Sequence, residues 1–201
     1  MNYLAHLTLS YFDAELQVGN FLGDMVRGVH MADLPPGIRR GVEMHRAIDA
    51  LTDADPQVRS MNQLLALRHG RYATVFSDIA FDYYLYRHWE RFGPLPFPDF
   101  TQETYRRLRD ARPLMPPAAA RRTTGMTDGR WLLTYTSRRG LLDVYRRLLP
   151  RLSRPELLVG IERSLDEYGP ALNRTLRLLF PRLLTLANDY RASEPHSPPT
   201  D

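Results

Sequence analysis

The sequence predicts an all-α protein that folds as a single-domain helical bundle. Apolar residues recur at the spacing of an α-helix along most of the chain, whereas no segment shows the apolar–polar alternation that indicates a β-strand. Proline follows proline or aspartate at two of the segment starts, which is typical of helix N-termini. The 201 residues, 43% of them hydrophobic, suffice for one sizeable core. We predict one domain over residues 1–192 and a disordered tail, "SEPHSPPTD", over residues 193–201.

The predicted helices follow from these start signals and from breaks rich in proline and glycine. A helix of about 16 residues begins at the proline pair 35–36, and the Asp-Pro signature at 55–56 begins the next one. A long helix over 72–92 ends before "GPLPFP". The remaining predicted helices lie near 99–112, over 127–150 and over 153–190, the last with expected breaks at Gly169-Pro170 and at Pro181.

The composition excludes several kinds of site. The chain has no cysteine, so disulfides and thiolate-bound metals are excluded, and any metal must be bound by His, Asp or Glu. No apolar run approaches the roughly 18 residues that span a bilayer, and no secretory signal is visible. We therefore expect a cytoplasmic protein without a membrane partner. The chain also lacks a nucleophile elbow, a P-loop and a glycine-rich dinucleotide motif.

The basic residues are all arginine, 27 in number, and the formal net charge is +4 with a pI of about 9.6. A GC-rich genome is the ordinary explanation for arginine without lysine. The arginines are nevertheless clustered, which favours a polyanionic partner, either nucleic acid or an acidic protein. The sequence alone does not choose between these two. The clusters lie at 106–112, 121–122, 138–139 and 146–154.

Two aspartates interrupt the apolar face of the predicted helix over 72–92. On a helical wheel, Asp78 and Asp82 lie on the same stripe as the apolar residues. An unpaired carboxylate buried there costs several kcal/mol, so each aspartate needs a cation or a set of donors. Pairing with a buried arginine such as Arg46 is the ordinary alternative.

Three other segments also place polar side chains on apolar faces. His45 and Asp49 lie four residues apart on one helix face. His6 lies among the apolar residues of "MNYLAHLTLS", and "GNFLGD" holds Asn20 and Asp24 beside glycines that permit close helix packing. Taken alone, each of these has an ordinary explanation as a hydrogen-bonded core residue, a helix cap or an ion-pair partner.

Taken together, these side chains predict a carboxylate–imidazole metal centre inside the bundle. Oxygen-rich ligation with one or two imidazoles favours Mn²⁺ or Mg²⁺ over Fe or Zn. Such an ion activates water and polarises a phosphoryl oxygen, so metal-assisted hydrolysis of a phosphate ester is the reaction class that fits. Arg27 and Arg46 follow Asp24 and His45 closely and are candidates for neutralising the phosphate. His88, near a helix end, is a further candidate with an equally ordinary structural explanation.

The same segments resemble the bacterial acyl carrier protein phosphodiesterase family. A weaker likeness continues through "WLLTYTSRRGLLDVYRRL" and "LDEYGPALNRTLRLLFPRLL", so the resemblance covers nearly the whole chain. The segments that carry it, in the family's order and spacing, are "MNYLAHLTLS", "GNFLGDMVRG", "GVEMHRAIDALTDADPQVR" and "SDIAFDYYLYRHW".

This resemblance implies a divergent relative of the HD-domain metal phosphohydrolases that uses Mn²⁺ or Mg²⁺. It implies hydrolysis of the phosphodiester that joins 4′-phosphopantetheine to the serine of holo acyl carrier protein. The arginine clusters would then steer the acidic carrier protein to the site, and we expect no nucleic acid partner. The usual HD signature of adjacent His and Asp is absent, because Asp49 lies one helical turn beyond His45.

The resemblance also implies roles for single residues. Asp24 matches the aspartate on which the family depends most clearly, and His6 and His88 are predicted to assist proton transfer to the leaving serine oxygen. The predicted metal ligands are Asp24, His45, Asp49, Asp78 and Asp82, and the predicted substrate-binding residues are Asn20, Arg27 and Arg46. Two alternatives stay open: a phosphohydrolase of nucleotides or other small phosphodiesters, and a non-catalytic arginine-rich module that binds an acidic protein or nucleic acid.

Overall fold

Helices account for most of the described residues, as the sequence predicts. The computed structural model describes residues 1–26 and 31–193, and these residues contain ten α-helices and no β-strand. Arg27 and residues 194–201 lie outside the described residues. The helices are α1 Tyr3–Leu9, α2 Ala14–Leu22, α3 Pro36–Ala54, α4 Pro56–His69, α5 Ala73–Arg87, α6 Trp89–Phe92, α7 Phe97–Asp110, α8 Pro117–Asp128, α9 Arg138–Leu148 and α10 Ile161–Ala192.

The start signal predicted at Asp55 is confirmed. Its carboxylate accepts hydrogen bonds from the backbone N–H groups of Gln57 and Val58, which have no partner within the first turn of α4. Pro56 is the first residue of α4, where the missing N–H costs nothing. The cap separates α3 from α4 with almost no loop between them.

The single helix predicted over 127–150 is wrong. Helix α8 ends at Asp128, Arg130 adopts a left-handed backbone conformation with φ of 47°, and a 3₁₀ segment follows over Trp131–Thr136. Ser137 then starts α9, because its hydroxyl accepts the N–H of Gly140. The helical periodicity of this stretch hides both the C-terminal end of α8 and the N-terminal cap of α9.

Two further boundaries differ from the predictions. The helix predicted over 72–92 is interrupted at His88, where α5 gives way to the single turn α6. Conversely, α10 continues through Pro170 and Pro181 without a break. Helix α10 packs along α3, α4 and α5, and this packing outweighs the backbone hydrogen bonds that the prolines remove.

Glycines bring α2 and α3 into direct backbone contact. A Cβ atom added at Gly19 would lie 1.9 Å from the Ile38 carbonyl oxygen, and one added at Gly41 would lie 2.4 Å from the Leu16 carbonyl oxygen. No larger side chain fits at either position without moving a backbone. The close packing predicted from the glycines of "GNFLGD" is therefore confirmed, and it places Asn20 against α3.

Helix α1 lies inside the bundle, with the residues from Leu4 to Leu9 all buried. Its N-terminus is capped by a distant residue: both carboxylate oxygens of Asp82, on α5, accept hydrogen bonds from the backbone N–H groups of Leu4 and Ala5. One hydrophobic core joins α1 to the surrounding helices. None of the described helices combines the length and the apolar character needed to cross a membrane. The cytoplasmic location stays a prediction.

Candidate metal centre

Three side chains from two helices meet at the centre of the candidate site. His6 lies on α1, and His45 and Asp49 lie one turn apart on α3. His6 Nε2 is 3.2 Å from Asp49 Oδ1, and His45 Nε2 is 3.1 Å from Asp49 Oδ2. The two imidazole rings stack with their centroids 4.0 Å apart. One ligand atom from each residue lies within 4.8 Å of the other two, so a single metal ion can contact all three.

Asn20, fully buried on α2, orients both imidazoles. Its side-chain Nδ2 donates to the carbonyl oxygen of His6 at 3.1 Å, which leaves Oδ1 to accept from His6 Nδ1 at 2.8 Å. Its backbone carbonyl accepts from His45 Nδ1 at 2.8 Å. Because these oxygens only accept, each Nδ1 carries a proton, and the neutral form of each ring directs the Nε2 lone pair at Asp49. Histidines that bind metals are typically held in this way.

The Nε2 atom of His6 is a candidate metal ligand. It is buried and has no hydrogen-bond partner among the described residues, although Asp49 Oδ1 lies 3.2 Å away. Since the proton is on Nδ1, a nitrogen lone pair faces a carboxylate oxygen, which is unfavourable unless a positive charge lies between them. Two imidazole nitrogens and a carboxylate form a donor set that fits a divalent metal ion.

Gly23 follows α2 and leaves room for the ring of His45. A Cβ atom added at Gly23 would lie 2.0 Å from His45 Cγ. Any other residue at this position would displace the imidazole from Asp49.

The charges of the cluster differ from residue to residue. Burial lowers the pKa of His6 to about 4, so this ring is neutral at neutral pH. Burial alone would also lower the pKa of His45, but the carboxylates of Asp24 and Asp49 outweigh it and raise this pKa to about 9. Burial would raise the pKa of Asp49, yet its hydrogen bond from His45 holds that pKa well below the usual range. Without a metal, the cluster therefore contains an imidazolium at His45 that a metal ion would have to deprotonate.

Asp24 and Asp78 approach the cluster from its open side. Asp24 is 75% exposed, and its Oδ1 lies 3.3 Å from His45 Nε2. Asp78 reaches the cluster through the amino nitrogen of Met1, which is 3.1 Å from Asp78 Oδ1 and 3.5 Å from Asp49 Oδ1. Burial would lower the pKa of this amino group, but Asp78 and Asp49 raise it above its ordinary value. The acidic side chains thus already favour a positive group between them.

Three other predicted site residues, Asp82, His88 and Arg46, lie outside the cluster. Both oxygens of Asp82 accept backbone N–H groups of α1, and its side chain is fully buried. His88 Nε2 lies 2.6 Å from Asn173 Oδ1, on α10. Arg46 is exposed and forms no ion pair with residues 1–26 or 31–193. Asn20 was predicted to contact the substrate, but its complete burial behind both imidazoles suits a positioning role.

Two contributors to the site were not anticipated. The amino group of Met1 had no signal in the sequence, because its place depends on how α1 is threaded through the core. Gly23 had a signal: it directly precedes Asp24 in "GNFLGD", where a glycine before a functional residue indicates a close approach.

The fold and the cluster define a class of protein: an all-α bundle in which two imidazole nitrogens and a carboxylate lie close enough together to hold one metal ion. The profile of the family described as acyl carrier protein phosphodiesterase matches residues 1–183. The chain therefore belongs to the acyl carrier protein phosphodiesterase family and is an enzyme of the phosphodiesterase class.

Individual relatives agree with this assignment. The acyl carrier protein phosphodiesterase of Serratia proteamaculans (strain 568) is 32% identical over 190 residues, which cover 94% of this chain and 98% of that protein. Those of Escherichia coli O6:K15:H31 and O45:K1 are 31% and 30% identical over 189 residues, with the same coverage. No solved structure matches the chain, so the predicted relation to HD domains stays a prediction.

Proposed function

We propose that this chain hydrolyses the phosphodiester between 4′-phosphopantetheine and the serine of holo acyl carrier protein. Water supplies the oxygen that stays on phosphorus and the proton that the serine oxygen takes, so the products are apo carrier protein and 4′-phosphopantetheine. The observation that supports this proposal most strongly is the cluster of His6, His45 and Asp49, with its unsatisfied nitrogen, in a chain of this family. Family membership also favours an enzyme over the non-catalytic arginine-rich module.

His6, His45 and Asp49 are the residues that would hold a divalent metal ion, with Asp24 and Asp78 beside them. Two imidazole donors favour Mn²⁺ over Mg²⁺, which strongly prefers oxygen ligands. When bound, the ion polarises a phosphoryl oxygen and makes water more acidic.

Asp24 is the residue that we assign to the substrate side of the cluster, because it is 75% exposed and adjoins His45. This exposed carboxylate is in a position to accept a proton from the attacking water. His6 is neutral and buried, which suits a ligand better than the proton donor that the sequence predicts. We assign no role in the reaction to His88 or Asp82.

The proposal is tested by incubating the Mn²⁺-loaded protein with holo carrier protein and measuring the carrier mass. We expect loss of the phosphopantetheine arm with the wild-type protein and none with Asp24→Ala, whose helical circular dichroism spectrum should be unchanged. Asp53→Ala is the matched control, because Asp53 is exposed on α3 one turn beyond Asp49 and should retain full activity.

Two outcomes would contradict the proposal. Full activity of Asp24→Ala would remove Asp24 from the mechanism. Equal rates on a small phosphodiester such as bis(p-nitrophenyl) phosphate, with no advantage for the carrier protein, would favour the alternative of a small-molecule phosphohydrolase.

A further inference from the structure

A cavity of about 310 Å³ opens beside the candidate metal centre. Asp24, Asp78 and the N-terminal residue Met1 line one end of it. Asp24 contacts His45, Met1 contacts Asp49, and Asp78 contacts the amino group of Met1. The cavity is therefore continuous with the place where we propose that phosphorus reacts. Its volume lies in the range typical of pockets for small organic ligands.

Aliphatic side chains from two helices form part of the cavity wall. Helix α5 contributes Val75 and Ile79, which flank Asp78, and helix α9 contributes Val144 and Leu148. A ligand that leaves the acidic end therefore passes between aliphatic side chains, where burying methyl and methylene groups is favourable.

The wall also offers one unused hydrogen-bond donor. The hydroxyl of Tyr135 accepts from Asn2 Nδ2 at 2.8 Å, and its own proton has no acceptor among residues 1–26 and 31–193. Tyr135 is only 4% exposed and lines the cavity. A buried hydroxyl with a free proton favours a ligand that carries a carbonyl oxygen.

Three exposed arginines line the cavity as well: Arg122, Arg147 and Arg151. None of them forms an ion pair with a residue in the described ranges, whereas Arg146, from the same sequence cluster as Arg147 and Arg151, pairs with two carboxylates. This part of the cavity therefore carries positive charge that the protein itself does not neutralise.

The guanidinium of Arg122 is held in place at the cavity. Arg122 Nε donates to the hydroxyl of Tyr3 at 2.5 Å. Arg122 Cζ lies 5.4 Å from the centre of the Tyr3 ring and 5.9 Å from the centre of the Trp131 ring. Trp131 itself lines the cavity. An arginine fixed by aromatic rings loses less freedom when it binds an anion.

We propose that this cavity binds the pantetheine arm of the substrate, with the three arginines facing the acidic surface of the carrier around its serine. This inference rests on the proposed function, which puts the phosphodiester at the acidic end. The arm combines a dimethyl group and methylenes, which suit the aliphatic wall, with amide carbonyls, one of which suits the Tyr135 hydroxyl. The arm is long enough to extend from the reacting phosphorus atom into the cavity.

Binding of the arm is measured first without catalysis, using free pantetheine and the tryptophan fluorescence of the metal-loaded protein. The chain has two tryptophans, so a saturable change that is absent in Trp131→Phe reports on the cavity. We expect such a change with pantetheine and none with inorganic phosphate at the same concentration. A wild-type protein that shows no saturable change with millimolar pantetheine would overturn the inference, whether or not the variants fold.

The second measurement uses a variant in which a larger side chain fills part of the cavity. Val144→Phe should weaken pantetheine binding by about tenfold or more and raise the KM for holo carrier protein similarly, since a ring takes up space that the arm needs. The matched control is Val159→Phe, because Val159 is 76% exposed and lies away from the cavity lining. Unchanged pantetheine affinity in a folded Val144→Phe protein would overturn the inference.

The arginines are tested separately from the wall. The double variant Arg147→Ala/Arg151→Ala should raise the KM for holo carrier protein several-fold and flatten its dependence on salt, because the acidic carrier loses two cationic contacts. A wild-type rate that is indifferent to salt would count against the proposed contact with the carrier.

The two proposals fail in distinguishable ways. Pantetheine binding that Val144→Phe weakens, without any release of the arm from holo carrier protein, would support the cavity and contradict the reaction. Normal release of the arm by Val144→Phe, with no pantetheine binding, would support the reaction and contradict the cavity.

Discussion

Two buried histidines, His6 and His69, have opposite surroundings. His69 donates from Nδ1 to the carbonyl oxygen of Leu157 at 2.7 Å, and its Nε2 lies 2.8 Å from the hydroxyl of Ser164, so both nitrogens are satisfied. His6 is satisfied only at Nδ1, and its Nε2 faces a carboxylate oxygen without a proton between them. Burial of a histidine is therefore no evidence of function by itself. A buried nitrogen that lacks a hydrogen-bond partner and faces a carboxylate oxygen is such evidence.

The aspartates show the same contrast. Both oxygens of Asp82 accept backbone N–H groups, which makes Asp82 a helix cap supplied from another helix. Among residues 1–26 and 31–193, Asp49 has no backbone donor and contacts two imidazoles and an amino group, all of them titratable. The first arrangement stabilises α1 in the core, and the second is one that a metal ion can complete.

The largest effect is expected from exchanging these two aspartates for asparagine, one at a time. Asp49→Asn should lower kcat/KM for holo carrier protein by about 10³-fold or more, because several kcal/mol of charge stabilisation depend on the metal that Asp49 helps to bind. Manganese content of the purified protein, measured by atomic spectroscopy, should fall in parallel.

Asp82→Asn is the counterpart. It should retain activity within about tenfold and bind manganese normally, while losing about 1–3 kcal/mol of stability because one backbone N–H loses its acceptor. If Asp82→Asn lost its metal and Asp49→Asn kept it, the contrast between the two aspartates would be reversed and the ligand assignment would be wrong.

A smaller effect is expected from the residue that orients the imidazoles. Asn20→Leu removes the acceptor of His6 Nδ1 but keeps the backbone carbonyl that binds His45, so the His6 ring loses its fixed tautomer. We expect metal affinity to fall about 10–100-fold, as is usual when a partner behind a ligand is removed. Calorimetric titration with Mn²⁺ measures this directly.

Ser164→Ala provides the control at the other buried histidine. It removes the partner of His69 Nε2 and should cost stability without changing the affinity for Mn²⁺. Equal losses of metal affinity in both variants would mean that the effect of Asn20 passes through overall stability rather than through the orientation of His6.

The sequence predicts which face of a helix is buried better than it predicts which residues that face contacts. The wheel puts Asp78 and Asp82 on one inward stripe, yet one meets the amino group of Met1 and the other caps α1. That difference depends on how α1 is threaded past α5, which local periodicity does not encode. The contact between His45 and Asp49 is easier to predict, because side chains four residues apart on one helix are neighbours in any tertiary environment.

Local backbone signals predict the structure reliably where no competing pattern surrounds them. The Asp55 cap and the glycine contact between α2 and α3 were predicted because each has a specific physical requirement. The sequence does not predict Gly129 as the C-terminal cap of α8, or Ser137 as the N-terminal cap of α9, because both lie within a long stretch of helical periodicity. The break expected at Pro170 is absent because tertiary packing tolerates the lost hydrogen bond.

The smallest effect concerns the pH dependence of stability in the metal-free protein. His45 has a folded-state pKa of about 9 against an ordinary 6.5. A raised pKa means that the folded state holds the proton more tightly than the unfolded state, so this stabilisation is complete below pH 6.5 and is lost as the pH rises towards 9. The shift corresponds to about 3 kcal/mol, which water around the exposed Asp24 should reduce to about 1–2 kcal/mol.

The contribution of His45 is isolated by comparing the wild type with His45→Gln in denaturant titrations at several pH values. Between pH 6.5 and 9, the metal-free wild type should lose more stability than the variant, because other groups, such as the amino group of Met1, titrate in both. Saturating Mn²⁺ should abolish the difference in slope, since a metal ligand has already given up its proton. Parallel slopes without metal would mean that His45 is neutral in the folded protein, and its Nε2 lone pair would then be available to a metal ion without any release of protons.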